Sequence, residues 1–132
     1  LDFDHFKNIN DTYSHLAGDF VLQEAAALIR KQLRSEDIFA RYGGEEFAIV
    51  VRQSGQNESF IIAERIRVAI EQTQFEFGGI IIPVTISLGL ATFRNGEPAD
   101  PDDLIELADN LLYQAKQAGR NCTKLEADSE IE

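Results

Sequence analysis

Two adjacent glycines, Gly43 and Gly44, separate two runs of strand-forming residues. Asp37-Ile38-Phe39-Ala40-Arg41 reads as one strand and Phe47-Ala48-Ile49-Val50-Val51 as the next, so the pair predicts a hairpin. A tight turn needs positive φ, which glycine alone adopts cheaply. Such a turn has no need of two consecutive carboxylates, yet Glu45 and Glu46 follow at once. Read as the start of the second strand, they alternate and point to opposite faces. The missing side chains at Gly43 and Gly44 also leave room for a ligand against the backbone. Taken alone, the stretch reads better as an ordinary acidic hairpin than as a site.

The 132 residues, 44% of them hydrophobic, suffice for one domain with a real core. Without Trp or Met, that core must come from Ile, Leu, Val, Ala and the nine Phe. The 12 basic and 23 acidic residues give a net charge of −11, which argues against a nucleic acid polymer as partner. The charge suits a protein that handles an anionic ligand through metal ions and a few placed cations. A lone Cys122 excludes an internal disulfide and fits a reducing cytoplasm. The most apolar stretch, Gly78 to Phe93, is too short to span a membrane and is interrupted by Pro83, Thr85 and Ser87. Leu1-Asp2-Phe3 reads as the end of a strand whose beginning is missing; a membrane anchor of the full-length protein would belong to that missing N-terminal region. Residues 1–125 form the expected domain, and 126–132 an acidic tail.

Along the chain, Asp2 and Asp4 share a face at a strand end with a backbone carbonyl between them. Such a pair suits magnesium, which takes oxygen ligands and keeps positions open for phosphates; a polar strand terminus is the plainer reading. A short helix is expected from Phe6 to Tyr13, with Phe6, Ile9 and Tyr13 on one stripe. Asp19 opens a longer amphipathic helix through Leu22, Ala26, Ile29 and Leu33, its charge favourable in a first turn. A third helix runs to about Thr73 with Ile62, Ile66, Ala69 and Ile70 inward and Arg65 and Arg67 on a solvated face. Phe75–Phe77 and Ile80–Ile82 form a hairpin, and Pro83 to Phe93 a long strand with Gly89 as a candidate bulge. The last helix has Asp100 as N-cap, Pro101 at N1, Asp102 and Asp103 in the first turn and Gly119 as its stop. Its buried stripe is Leu104, Ala108, Leu111, Ala115 and Ala118, and Cys122 to Leu125 closes the sheet. The expectation is α/β, a mainly antiparallel central sheet flanked by helices in the order βααββαββαβ.

Gly43-Gly44-Glu45-Glu46-Phe47 resembles the signature loop of the GGDEF family, the bacterial diguanylate cyclases, in its Glu-for-Asp version. Asp2-Phe3-Asp4-His5-Phe6-Lys7 with Asn10-Asp11 resembles the family's second motif. Ala108-Asp109, Leu112-Tyr113, Ala115-Lys116 and Gly119-Arg120-Asn121 resemble its C-terminal motif. The three stand in the right order across nearly the whole chain. The departures are Ser14, where the family usually has Gly, Leu111 for a commoner Ala, and the absence of the segment that usually carries Leu-Thr-x-Leu and Asn-Arg.

The resemblance implies a palm-like nucleotide cyclase fold that condenses two GTP into cyclic di-GMP and pyrophosphate, using two Mg2+ per site (or Mn2+). It implies Asp2, the Phe3 carbonyl and Glu45 as metal ligands, with Glu45 and Glu46 catalytic. Glu46 either helps bind metal or positions the nucleophile. Substrate falls to Lys7, Asn10, Asp19, Gly43, Gly44, Lys116 and Arg120. Asn10 and Asp19 face guanine, whose N1–H and N2–H donors match an acceptor-only carboxylate. Lys116 and Arg120 grip the triphosphate, although cations at a helix end also simply balance its dipole. Arg34 and Asp37, an Arg-x-x-Asp ahead of the signature, mark an inhibitory product site with Arg65 as a second contact. Catalysis then needs a homodimer, with GTP from each subunit meeting across a two-fold axis, and control by an upstream sensor domain not in this chain. The competing readings are a catalytically silent domain that binds cyclic di-GMP or a protein, and a structural dimerisation module. Silent relatives typically lose the signature acids, which this chain keeps.

Overall fold

The computed structural model describes residues 1–52, 54–93 and 100–126, so the expected acidic tail lies outside the described residues except for Glu126. The elements are β1 (Asp2–Phe3), α1 (Phe6–Tyr13), α2 (His15–Gln32), β2 (Ile38–Gly43), β3 (Glu46–Val50), α3 (Gln56–Gln72), β4 (Phe75–Phe77), β5 (Ile80–Ile82), β6 (Ile86–Leu90), α4 (Pro101–Gln117) and β7 (Thr123–Leu125). This is the expected α/β order with one strand more, because the β4–β5 hairpin forms a small sheet of its own ahead of β6. The main sheet runs β2-β3-β1-β6-β7, antiparallel except for the parallel β6–β7 pair.

β1 is only two residues long yet lies centrally, Asp2 pairing with both Glu46 and Ser87. Alternation along these strands sorts the faces. Phe3, Phe47, Ile86 and Leu88 point into the main core with Ile9 of α1, Val21 and Ile29 of α2, and Ile66 and Ile70 of α3. Asp2, Ser87 and Gly89 occupy the opposite face, against α4. Phe3 and Phe47 meet edge to face at 5.8 Å, and Phe39 stacks on Phe47 at 5.4 Å, which fixes the hairpin to β1.

Local chemistry moves several expected boundaries. α2 starts at His15, because the Ser14 hydroxyl accepts the Ala17 N–H at 3.1 Å and caps it there. Asp19 therefore sits a turn inside the helix. Ser14 itself holds φ 123, a conformation that favours glycine, so the Ser-for-Gly departure is a strained one. In the signature hairpin the turn is Gly44-Glu45; Gly44 alone carries positive φ, and the register slips between Arg41 and Gly43. Glu45 thus belongs to the turn and Glu46 opens β3. The strand expected over Pro83–Phe93 contracts to Ile86–Leu90. The caps of α4 are as expected, with Asp100 Oδ1 accepting the Asp102 N–H at 3.0 Å and Gly119 at φ 111 after its end. Only Leu111 and Ala115 of its stripe are fully buried, and Ala118 is exposed.

Gly89 is a point of close approach, not a bulge. A Cβ there would collide with the Ala108 carbonyl oxygen and the Leu112 nitrogen, both backbone atoms of α4. Because helix backbone cannot move aside cheaply, Gly89→Ala should destabilise the domain by about 2–4 kcal/mol. Urea unfolding monitored by circular dichroism measures this, and an unchanged midpoint would contradict the packing described.

Candidate active site

The end of β1 gathers the acids. Asp2 is 5% exposed; its Oδ2 accepts from Lys116 Nζ of α4, and its Oδ1 is buried with no partner. A buried carboxylate oxygen without a donor is costly and calls for a cation. The Phe3 N–H donates to the Glu45 carbonyl at 3.4 Å, so the signature turn hangs beside Asp2. Glu45 is half-buried there and Glu46 is exposed. Among the described residues no three His, Cys, Asp or Glu side chains converge. A divalent cation there would take only a few oxygens from the chain and complete its shell with water or phosphate. The donor set of Asp2, the Phe3 carbonyl and Glu45 fits such an ion.

Asp4 behaves differently from the expected partner of Asp2. It lies past the strand end, buried, and its carboxylate accepts from Ser87 Oγ at 2.6 Å, Thr85 Oγ1 at 2.7 Å and the Asn121 N–H at 3.0 Å. Asp4 stays on the Asp2 side of the sheet, with Ser87, but both of its oxygens already have donors, so it offers no free oxygen beside Asp2.

Lys116, in the last turn of α4, reaches across to Asp2. Arg120 follows the Gly119 stop in the left-handed region at φ 66, exposed, with its N–H on the Ala115 carbonyl at 3.0 Å. Lys7 is exposed on the first turn of α1. The signature glycines are open: a Cβ at Gly43 or Gly44 would meet nothing within 4 Å. Neither packing nor backbone angle demands glycine at position 43. The Arg41 Nε donates to the Gly44 carbonyl at 2.8 Å and ties the loop.

Asn10 and Asp19 come from adjacent helices. The Asn10 side chain lies directly over Gly18, and Asp19 is exposed beside it. Gly18 is a residue that sequence reasoning missed. The available signal was a glycine inside a helix, which is unfavourable unless something approaches closely.

Arg34, Asp37 and Arg65 meet at the C-terminal end of α2, but not as a projecting pair. Asp37 is 4% exposed, with Oδ2 accepting the Arg34 N–H at 2.8 Å and Oδ1 buried without a partner. It closes the turn before β2. The Arg34 guanidinium folds back to the Arg52 carbonyl at 3.0 Å and Ser54 Oγ at 2.9 Å. Arg65 donates to the Gln32 carbonyl at 2.8 Å. Arg67 is no solvated cation either: it forks onto Glu64 with two bonds of 2.9 Å and reaches Asn121 Oδ1 at 2.9 Å. Those bonds hold the Glu64 carboxyl below the usual carboxylate range and raise the Arg67 guanidinium further.

Comparison with known proteins identifies the family and the fold. The family model described as "Diguanylate cyclase, GGDEF domain" matches residues 1–122. Diguanylate cyclase A of Treponema denticola is 44% identical over 121 residues, covering 92% of this chain and 32% of the relative's length. The crystal structure of the GGDEF domain of DgcB from Caulobacter crescentus in complex with c-di-GMP superposes with a TM-score of 0.87 at 33% identity, over 94% of this chain and 73% of that one. The active GGEEF domain of a diguanylate cyclase from Vibrio cholerae gives 0.84 at 33% identity, over 97% and 80%.

The Asn10–Gly18 contact yields a direct test. A methyl at Gly18 would displace the end of the Asn10 side chain, which is free to rotate, and also press on Phe6. Alanine gains up to about 1 kcal/mol of helix propensity over glycine. Gly18→Ala should therefore melt no lower than wild type while the Asn10 side-chain amide resonances shift markedly by NMR. An unmoved Asn10 would contradict the contact.

Proposed function

The chain belongs to the GGDEF diguanylate cyclase domain family, and from that premise we propose that it condenses two GTP into cyclic di-GMP. The observation that carries the reading is the buried, unpartnered Oδ1 of Asp2 beside the glycine-open signature turn. Asp2, the Phe3 carbonyl and Glu45 would hold magnesium, or manganese in its place, two ions per site. When bound, such ions neutralise the phosphates and acidify the attacking hydroxyl. Asn10 and Asp19 present acceptors to the guanine edge, and Lys116, released from Asp2 once that carboxylate is a metal ligand, faces phosphate oxygens with Arg120 and Lys7. Gly43 and Gly44 let the triphosphate lie against backbone. At each of two steps a ribose 3′-oxygen bonds to the α-phosphorus of the other GTP. The α–β oxygen bond breaks, pyrophosphate leaves, and the hydroxyl proton passes to one of the carboxylates Glu45 and Glu46. One subunit supplies each GTP, so the active form is a homodimer with two-fold symmetry.

The chain spans 32% of the length of its Treponema relative. In this reading an upstream sensor domain, outside this chain, controls the activity. No described helix is long and apolar enough to cross a membrane. We place residues 1–125 in the cyclase domain and its site on the cytoplasmic side.

Incubation of the concentrated protein with GTP and magnesium should release pyrophosphate and cyclic di-GMP, whereas ATP should react at least about a hundredfold more slowly because adenine leaves the Asp19 acceptor unpaired. Glu45→Ala should cut product formation by on the order of a hundredfold or more. Near wild-type synthesis by that variant would refute the assignment of Glu45.

Feedback inhibition is the finer part of the proposal. Cyclic di-GMP would be gripped by Arg34, released from Arg52 and Ser54, with Arg65 as the second cation. Asp37 then holds the Arg34 backbone and does not itself project. Calorimetric titration of cyclic di-GMP into Glu45→Ala and Glu45→Ala/Arg34→Ala should show a loss of about ten- to a hundredfold in affinity, as expected for charge-assisted forked bonds. Equal affinities would remove the product site and leave the catalytic reading untouched.

A further inference from the structure

We propose that Asp4 is a positioning residue: its buried carboxylate sets the Arg120–Asn121 turn and thereby the place of the cations that meet substrate. The inference rests on the cyclase reading given above.

Asp4 is 6% exposed and takes donors from two directions. Ser87 Oγ at 2.6 Å and Thr85 Oγ1 at 2.7 Å come from β6 and the residues leading into it. The third donor, the Asn121 N–H at 3.0 Å, lies 117 residues away in the turn between α4 and β7. The Asp4 N–H also donates to the Thr85 carbonyl at 3.0 Å, so its backbone is fixed before its side chain reaches out.

That turn needs holding. Arg120 at φ 66 and Asn121 at φ 46 are consecutive residues in the left-handed region, neither of them glycine. L-residues adopt such a conformation when their surroundings over-determine it, and it clusters at functional sites. The Asn121 side chain is held from α3, its Oδ1 by Arg67 at 2.9 Å and its Nδ2 on Glu71 Oε2 at 2.7 Å. Only Asp4 holds its backbone from the β1 side among the described bonds. The consequence is geometric. Asp2, the acid that Lys116 neutralises, and Asp4, the acid that anchors the turn carrying Arg120, are two residues apart. One short segment therefore registers both cations against the proposed metal ligand. A purely structural Asp4 would influence stability and leave substrate binding alone.

The test separates these roles by kinetics. Asp4→Asn preserves size but sets an amide donor against existing donors. In folded protein it should raise KM for GTP about tenfold while kcat stays within about threefold, the pattern of lost substrate positioning. Hydrogen exchange at the Asn121 amide should accelerate in step. Asp4→Ser, too short to reach Asn121, should behave alike and serves if the Asn variant does not fold. Thr85→Val, which removes one donor but spares the Asn121 bond, should lower the melting temperature and leave KM unmoved. An unchanged KM in folded Asp4→Asn or Asp4→Ser overturns the proposal, as does an equal rise in Thr85→Val. A wild-type protein that makes no cyclic di-GMP defeats the functional reading itself, and the exchange measurement still reports separately whether Asp4 anchors the turn.

Discussion

The contact between α4 and β6 at Gly89 sets the distance on which the rest of the site depends. Backbone meets backbone there, with no side chain between them. Leu111 and Ala115 bury against the sheet on the same side, and the last turn of the helix is carried to the end of β1. Lys116 then lands on Asp2, and the chain leaving the helix passes over Asp4. A bulkier residue at the crossing would lift the helix and separate cations from acids together. Site geometry and core packing are thus one constraint.

Three buried carboxylates illustrate how differently burial can be offset. Asp4 is surrounded by neutral donors and is spent on architecture. Asp37 closes a turn through the Arg34 N–H and keeps one oxygen unpartnered. Asp2 meets a cation on one oxygen and leaves the other empty-handed. Burying charge is unfavourable unless the group is paired. An unfinished shell next to an open glycine loop is therefore the feature with a ligand in view, and a finished one is not.

Much of the fold was legible because its cues are local. The 75–82 hairpin follows from Gly78 and Gly79, both at positive φ, and the ends of α4 follow from Asp100, Pro101 and Gly119. What sequence could not supply was partnership at long range. Asp4 looked like the twin of Asp2 because both fall on alternate positions; the hydroxyls of Thr85 and Ser87, more than 80 residues on, decide otherwise. Arg67 looked solvated until α3 was placed against Asn121. Gly89 read as a bulge because its neighbour across the gap is another element's backbone. The order of the motifs carried the family, because it is a whole-chain signal that local periodicity does not contain.

β2 stands at the edge of the main sheet, and among the described residues its ladder partner is β3 alone. Ile38 and Val50 face each other across that pair, with Ala40 and Ala48 beside them, all exposed on one face. An exposed edge with an apolar face is a template for pairing with another chain. Against it stand Arg41 on the same strand and the repulsion of a net charge of −11. The colloidal behaviour of the domain is therefore tied to its carboxylates: as acidification neutralises them, the repulsion fades and the β2 edge is left as the adhesive surface.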